Sequence, residues 1–524
     1  MVAKWYDCGQ ITRRYCSIFF VVMACSGCAS LPLPAVKPEA PILHPIQESR
    51  LYQASREVTE AFSQKSGFHL LADGKDALAV RLELIELAHS TLDLQYYIWH
   101  HDAVGNVLLQ RLLAAADRGV RVRLLLDDLD TSGKDDALMM IDAHPNIEIR
   151  LFNPFPHRDA RWLDFLSSGV RLNHRMHNKS LSADQGAAVL GGRNIGDEYF
   201  DASREVGFKD MDVLGVGPVV AELVSSFELY WQSEWSYPLT QIVQQDAPTR
   251  QQIERYREQL DQHFEQASKS DYAEAIRHAI NVNVSQLTAT DFSLGAWALA
   301  YDRPEKVVAK KIDIKTHLAP RLKQALDNAE QDLVIVSPYF VPGERFTQYL
   351  VDKVKRGVRV RVLTNSLAAN DVAMVHAGYR RYREALIDGG VELYELKPLV
   401  KGEDSKSKLL SWKGSSRSSL HAKYLGFDRQ YLFVGSFNLD GRSVSLNTEL
   451  GVYFESEKYA SQLAETFDEK VQQLAYRLYL QDGDLRWESL ADNTSVVFDR
   501  EPETSWWQRF STRCLSLVVP EGQL

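Results

Sequence analysis

Apolar residues recur at helical spacing in two places, and each run ends on a glycine. Val107, Leu108, Leu112 and Leu113 lead toward Gly119, and Leu350, Val351 and Val354 lead toward Gly357. Glycine closes a helix well because it enters the left-handed region without a side-chain penalty. Beyond each glycine the pattern changes to strict alternation, as Val120, Val122 and Leu124 or Val358, Val360 and Val362. A period of two predicts a strand. Residues 92–97 and 333–339 read as a further strand upstream in each half. Strand, helix, strand, stated twice, predicts parallel neighbours with covering helices, an α/β fold.

The two halves are copies. Arg118-Gly119-Val120-Arg121-Val122-Arg123 returns 238 positions later as Arg356-Gly357-Val358-Arg359-Val360-Arg361. A second block shares an offset of 244. His177, Lys179, Asp184, Gly191, Asn194, Glu205 and Gly207 return as His421, Lys423, Asp428, Gly435, Asn438, Glu449 and Gly451. A segment kept only for packing holds its hydrophobicity and lets polar residues drift. Here the polar residues are held and most apolar identities drift, so the duplication preserves chemistry.

With 524 residues the chain is too long for one ordinary core. The repeat divides it into a first domain over 51–240, a helical connecting insertion over 241–310 and a second domain over 311–480. An amphipathic extension follows over 481–524, with Trp506, Trp507, Phe510, Leu515, Leu517 and Val518 around Arg509 and Arg513. That composition fits either an interfacial membrane segment or a helix packed on the catalytic body. The formal net charge of -10 argues against a nucleic-acid binder, which needs a basic surface. At the N-terminus Arg13 and Arg14 precede a short apolar run and then Cys25-Ser26-Gly27-Cys28. This pattern predicts a lipoprotein-type signal over 1–28, with Cys28 lipidated, and a proline-rich tether over 29–50. A lipidated Cys28 would hold the protein to a membrane on the periplasmic side of a bacterial envelope.

In each repeat His-x-Lys falls on a segment of strand character, so imidazole and ammonium share one face. Asp184 and Asp428 open a turn, and an apolar return strand runs to Gly191-Gly192 or Gly435-Ser436. Cleaving a phosphodiester takes a nucleophile for phosphorus and cationic donors for its oxygens. Two histidines, two lysines and two asparagines supply these if the halves face one another. One His attacks while the other protonates the leaving alkoxide and later deprotonates the acceptor. Lys179 and Lys423 stabilise charge on the equatorial oxygens. Glu205 and Glu449, each 28 residues after its histidine, are the candidates to fix the imidazole tautomers. This chemistry requires no metal or other cofactor, and no cluster of residues at metal-ligand spacing suggests one.

His-x-Lys-x4-Asp followed six residues later by Gly-Gly/Ser-x-Asn resembles the paired HKD motif of the phospholipase D superfamily. The resemblance implies two phospholipase D-like α/β domains related by a pseudo-twofold axis, with mixed, largely parallel sheets covered by helices. It implies that His177 forms the phosphoenzyme and His421 serves as general acid and base. It gives Lys179, Lys423, Asn194 and Asn438 to the phosphate, Glu205 and Glu449 to orientation of the histidines, and Asp184 and Asp428 to structural support. Gly192 departs from the serine often found there, so only Ser436 supplies that hydroxyl. Longer strings, among them Tyr96-Tyr97-Ile98-Trp99, Leu151-Phe152-Asn153-Pro154-Phe155 and Thr364-Asn365-Ser366-Leu367, are similar to C-type bacterial cardiolipin synthases. That likeness implies phospholipid substrates at a membrane surface, with phosphatidylglycerol as acceptor and another phospholipid, phosphatidylethanolamine among the candidates, as donor. A phospholipase D releasing phosphatidic acid, a nuclease of the same superfamily and a headgroup-binding surface lipoprotein are the competing readings. No residue pattern points to a protein partner.

Overall fold

The computed structural model describes residues 31, 47–60, 64–203, 207–270, 272–274, 284, 288–307, 317–398, 418–491 and 494–518. The signal, most of the tether and Glu205 lie outside these residues. In chain order the first half contributes β1 (Ser66–Leu71), β2 (Thr91–Tyr96), β3 (Arg121–Asp127), β4 (Ile147–Phe152), β5 (Ser180–Ala183), β6 (Ala187–Gly191), β7 (Gly207–Lys209), β8 (Asp212–Val216) and β9 (Ser236–Pro238). The connecting segment contributes β10 (Ser293–Gly295) and β11 (Trp297–Tyr301). The second half supplies β12 (Asp332–Val336), β13 (Arg359–Asn365), β14 (Glu392–Leu396), β15 (Ser418–Leu420), β16 (Tyr424–Phe427), β17 (Tyr431–Gly435) and β18 (Leu450–Glu455). Last come β19 (Ala475–Gln481), β20 (Asp484–Ala491) and β21 (Thr494–Phe498).

Two large sheets result, ordered β10-β1-β8-β6-β5-β2-β3-β4-β9 and β11-β18-β17-β16-β12-β13-β14-β19-β20-β21. The helices Ala103–Asp117 and Gly343–Lys355 connect β2 to β3 and β12 to β13, as the periodicity predicts. Gly119 and Gly357 follow them at φ of 96° and 92°, the left-handed stop that glycine permits.

Both large sheets are mixed, and among the described residues their parallel pairs are those of β2-β3-β4 and β12-β13-β14. β7 and β15 pair in parallel across the halves as a separate two-stranded sheet. The expectation of largely parallel sheets is not met, because antiparallel pairs outnumber the parallel ones among the described residues. The strand carrying each motif returns on itself, as its turn residues predict. Asp184 and Gln185, like Asp428 and Arg429, have positive φ at both turn positions. That geometry matches the twist of a tight hairpin and forces β5-β6 and β16-β17 to be antiparallel.

The connecting segment does more than link. Its helix Arg250–Ser268, capped by Thr249 and Gln252, is followed by β10 at one edge of the first sheet and β11 at one edge of the second. Nor does the second sheet stop at residue 480, since β20 and β21 extend it. One apolar cluster joins the halves: Phe68, Leu190, Val213 and Leu223 pack with Val334, Tyr424, Val434 and Val452. Phe68 and Phe454 stack across this interface with ring centroids 4.4 Å apart. The outer faces of the two sheets have separate cores beneath their helices. Burying the shared face holds the motif strands of both halves against one another.

Candidate active site

The last residue of the middle parallel strand grips the chain just before each motif histidine. Asp127, at the end of β3, accepts a hydrogen bond from the Met176 amide at 2.8 Å and from the Arg175 guanidinium at 3.1 Å. Asn365, at the end of β13, accepts from the Leu420 amide and donates to the Leu420 carbonyl, both at 2.9 Å. Each histidine then hydrogen-bonds the other half of the molecule. The His177 amide donates to the Thr448 carbonyl at 2.9 Å, and the His421 amide to the Lys209 carbonyl at 2.8 Å. The halves therefore interlock around the two motifs.

The carboxylates cross over in the same way. Nδ1 of His177 lies 2.9 Å from Glu449 of the second half. Nδ1 of His421 lies 2.5 Å from Asp210 of the first half. Sequence reading assigned the second of these places to Glu205, and the register shows why it belongs to Asp210. Gly192 N donates to Met211 O as Ser436 N donates to Leu450 O. Met211 is thus the counterpart of Leu450, and Asp210 that of Glu449. The constant offset of 244 holds through Asn194 and is then broken by five extra residues in the first half. The same exchange accounts for Gly192. A Cβ built there would fall into the Asp210 carboxylate, so the shorter acid occupies the place of the missing serine. In the second half Ser436 Oγ donates to Glu449 at 2.5 Å.

Lys179 and Lys423 are fully buried beside their histidines. Lys179 Nζ donates to the His177 carbonyl at 2.6 Å and sits over the Tyr97 ring. Lys423 Nζ donates to the His421 carbonyl and lies 3.1 Å from His421 Nδ1. Tyr97 meets His177 edge to face at 5.0 Å, and Tyr199 does the same to His421 at 5.3 Å. Neither tyrosine was singled out in sequence, because an aromatic beside a strand reads as core.

The asparagines are not equivalent. Asn194 is engaged by the protein, accepting from Ile98 N at 3.2 Å and donating to Tyr199 Oη at 3.0 Å. Asn438 keeps a buried Oδ1 with no hydrogen-bond partner among the described residues. Asp184 and Asp428 face away from the histidines. Asp184 accepts from Ser49 Oγ and from the amides of His89, Ser90 and Thr91. Asp428 accepts from the amides of Glu330, Gln331 and Asp332. Each staples its hairpin turn to the start of the first parallel strand. His376 is buried against Tyr379 and Glu501.

The electrostatics separate the histidines. Burial, then the charges of Lys179, Lys423 and His421, pull His177 well below its ordinary value. His421 is also lowered by burial and Lys423, but Asp210 opposes the shift. Burial pushes Asp210 upward, yet His421 and Lys423 hold it well below the usual carboxylate range. Glu449 goes the other way, raised by burial to about 7, and burial lowers Lys179 to about 7. The downward shift is therefore larger at His177 than at His421. Among the described residues one group, His100, Asp102 and Glu198, brings possible metal ligands within 4.8 Å of one another. Both Asp102 oxygens already accept backbone amides, from Gly105 and Asp197, so these residues read as a helix cap with an ion pair.

Two α/β lobes that each lend a His-Lys pair and a carboxylate to a shared centre define an enzyme of the phospholipase D superfamily. The family model described as "Cardiolipin synthase, PLD-like domain" matches residues 82–231 and again 322–471. Cardiolipin synthase C of Escherichia coli strain K12 is 40% identical over 466 residues, covering 87% of this chain and 96% of that protein. Cardiolipin synthase B of Shigella flexneri is 26% identical over 385 residues, 73% of this chain and 75% of that protein. The crystal structure of phosphatidylserine synthase from Haemophilus influenzae Rd KW20 aligns with a TM-score of 0.55 at 13% identity, covering 90% of this chain and 100% of that one, a likeness of fold. The chain belongs to the cardiolipin synthase family, a cardiolipin synthase-like phosphatidyltransferase acting on phospholipids.

Proposed function

We propose that the protein makes cardiolipin by phosphatidyl transfer through a phosphohistidine on His177, with phosphatidylglycerol as the acceptor. The observation that carries this reading is the crossed pairing of His177 with Glu449 and of His421 with Asp210. With the proton held on Nδ1 by Glu449, Nε2 of a neutral His177 has its lone pair free to attack phosphorus. His421, paired with an ionised Asp210, carries the proton that the departing alkoxide takes up. The roles then reverse: His421 removes a proton from the acceptor hydroxyl, whose oxygen displaces His177 and regenerates the free enzyme. Lys179 and Lys423 neutralise the oxygens of the transferring group, where fixed charge in a buried site acts most strongly. Each displacement inverts phosphorus, so the sum retains configuration.

An open apolar groove of about 650 Å³ reaches Asp440, in the segment that follows Asn438. Phe437 and Leu439, which flank Asn438, line it with Leu322, Phe346 and Val444. Asp440 is on its wall and lies close enough to Glu449 and Lys423 to interact with both. A lipid with its phosphate between the histidines could place one acyl chain there. This geometry supports a lipid substrate over a nucleic acid. The reading also places Cys28 as the lipidated anchor on the periplasmic face, with the catalytic body held at the membrane by the proline-rich tether. Purified protein incubated with vesicles of phosphatidylglycerol, with and without phosphatidylethanolamine, should yield cardiolipin. Phosphatidic acid as the sole product, even with excess acceptor, would make the enzyme a hydrolase instead.

A further inference from the structure

The helix Trp506–Val518 has its polarity reversed. Its packed side presents Thr512, only 1% exposed, along with Ser516 and Arg509. Arg381 of the catalytic body donates to the Ser516 carbonyl at 2.7 Å. Trp506, Trp507, Phe510 and Leu517 face outward and are 66%, 63%, 45% and 83% exposed. Trp506 and Phe510 stack at 5.1 Å, forming one apolar ridge. Val496 and Val497 on β21 are exposed as well. Of the eleven large apolar side chains exposed among the described residues, six fall between 496 and 517. Isolated exposed apolar residues need no explanation, but a contiguous patch marks an interaction surface.

Beside the ridge is a polar cavity of about 550 Å³, bounded by Trp506 and Phe510 and lined by Arg380, Arg383, Arg486, Arg500, Arg509 and Arg513. Four acids also line it, Glu384, Asp484, Asp499 and Glu501, and three of them are paired with arginines. Arg383 takes Glu395 and Glu501, Arg486 takes Asp484, and Arg500 takes Asp499. Arg380 and Arg513 have no hydrogen bond or ion pair among the described residues; Arg380 feels the attraction of Glu501 and the repulsion of Arg383 and Arg513. Glu501 is already paired with Arg383, so a further anion would be held by both Arg380 and Arg513.

We propose that this face is a membrane-docking surface. Trp506, Trp507 and Phe510 enter the headgroup layer while the phosphate of an anionic phospholipid seats between Arg380 and Arg513. Tryptophan with arginine is the composition that a bilayer interface favours, with the ring in the apolar boundary and the cation at the phosphates. Charge selects the occupant. A second copy of a chain at net -10 would approach as another acidic body, whereas an anionic bilayer complements a cavity lined by six arginines. The inference takes from the proposed function only that the substrate is in a bilayer.

Full-length protein mixed with vesicles of brominated phosphatidylcholine, with and without phosphatidylglycerol, tests this by tryptophan quenching. A separate N-terminal anchor does not disturb the readout, because only tryptophans within the lipid are quenched. The wild type should be quenched, and W506F/W507F should lose most of the quenchable emission. R380Q/R513Q should need about tenfold more phosphatidylglycerol-containing lipid for half-quenching, with little change on neutral vesicles. Circular dichroism confirms that the variants fold. Turnover of a short-chain phospholipid dissolved as monomers should be equal in all three proteins. Absence of that turnover in the wild type would count against the catalytic reading alone. Equal quenching in wild type and W506F/W507F, or a dimer in solution that W506S/W507S disperses, would overturn the docking proposal.

Discussion

Nδ1 of His421 and the carboxylate of Asp210 lie 2.5 Å apart, and the two residues belong to opposite halves of the duplicated chain. The same crossing joins His177 to Glu449. Neither half therefore contains a complete catalytic unit, and the duplication is functional only when both sheets close on their common core. An Asp-for-Glu exchange and a Ser-to-Gly exchange go together in the first half, because the shorter acid needs the space that Gly192 leaves.

From this follows a contrast between two acids. Asp210→Asn should lower kcat by roughly a hundredfold or more, since a mispaired imidazole is costly in such dyads. Glu205→Gln should stay within about threefold of the wild type. Gly192→Ser should resemble Asp210→Asn by pushing that carboxylate aside. Steady-state rates on phosphatidylglycerol vesicles decide it, and a large loss in Glu205→Gln with none in Asp210→Asn would restore the offset of 244.

Asp184 should matter for stability and little for chemistry. Its carboxylate satisfies three backbone amides and the Ser49 hydroxyl. Asp184→Ala leaves those donors unpaired and should cost about 3 kcal/mol of unfolding free energy. Denaturant unfolding measures the loss, while the rate per folded molecule should change less than about threefold.

The pH profile should be a narrow bell near neutrality. Glu449 sits at about 7, so its carboxylate forms only as pH rises through that value. Lys179 also sits at about 7, so its positive charge is lost as pH rises past it. kcat/KM, which reports the free enzyme, should fall on both sides. A bound phosphate keeps Lys179 protonated, moving the alkaline limb of kcat upward. Lys179→Arg, at a lower absolute rate, should lose that limb, because arginine stays charged. An alkaline limb unchanged in Lys179→Arg would assign it to another group.

How far the sequence is legible depends on what each residue answers to. Helices ending at Gly119 and Gly357 and the alternating strands after them follow from local periodicity, and the structure has them. The histidines and lysines are visible because the duplication repeats polar residues at a fixed offset. Ser436 is visible through its place in the resembled motif, and Glu449 through a match with Glu205 that the sheet register does not uphold. Asp210 is hidden for the same reason, since five extra residues break the offset and only sheet register restores it. Tyr97 and Tyr199 carry no polar signal to separate them from core aromatics. The antiparallel return strands are signalled by the turn residues at Asp184 and Asp428, where φ is positive, while the antiparallel pairing of the other strands is not encoded by hydrophobic alternation.

The apolar groove makes a prediction about chain length. Val444, on its rim and exposed, can be enlarged without touching the histidines. Val444→Trp should reduce turnover of long-chain phospholipid several-fold while sparing a short-chain analogue. Competition between the two lipids, read by mass spectrometry of products, measures the ratio. An unchanged ratio would place the acyl chain elsewhere.

The most direct test of the account is the covalent intermediate. An alkaline quench of wild-type enzyme turning over phosphatidylglycerol, followed by peptide mass spectrometry, should find a phosphatidyl group on His177. That adduct should be absent from His177→Ala and accumulate in His421→Ala supplied with an activated donor that needs no general acid. Product formed at full rate with no phosphorus on the protein, or an adduct on a residue other than His177, would contradict it.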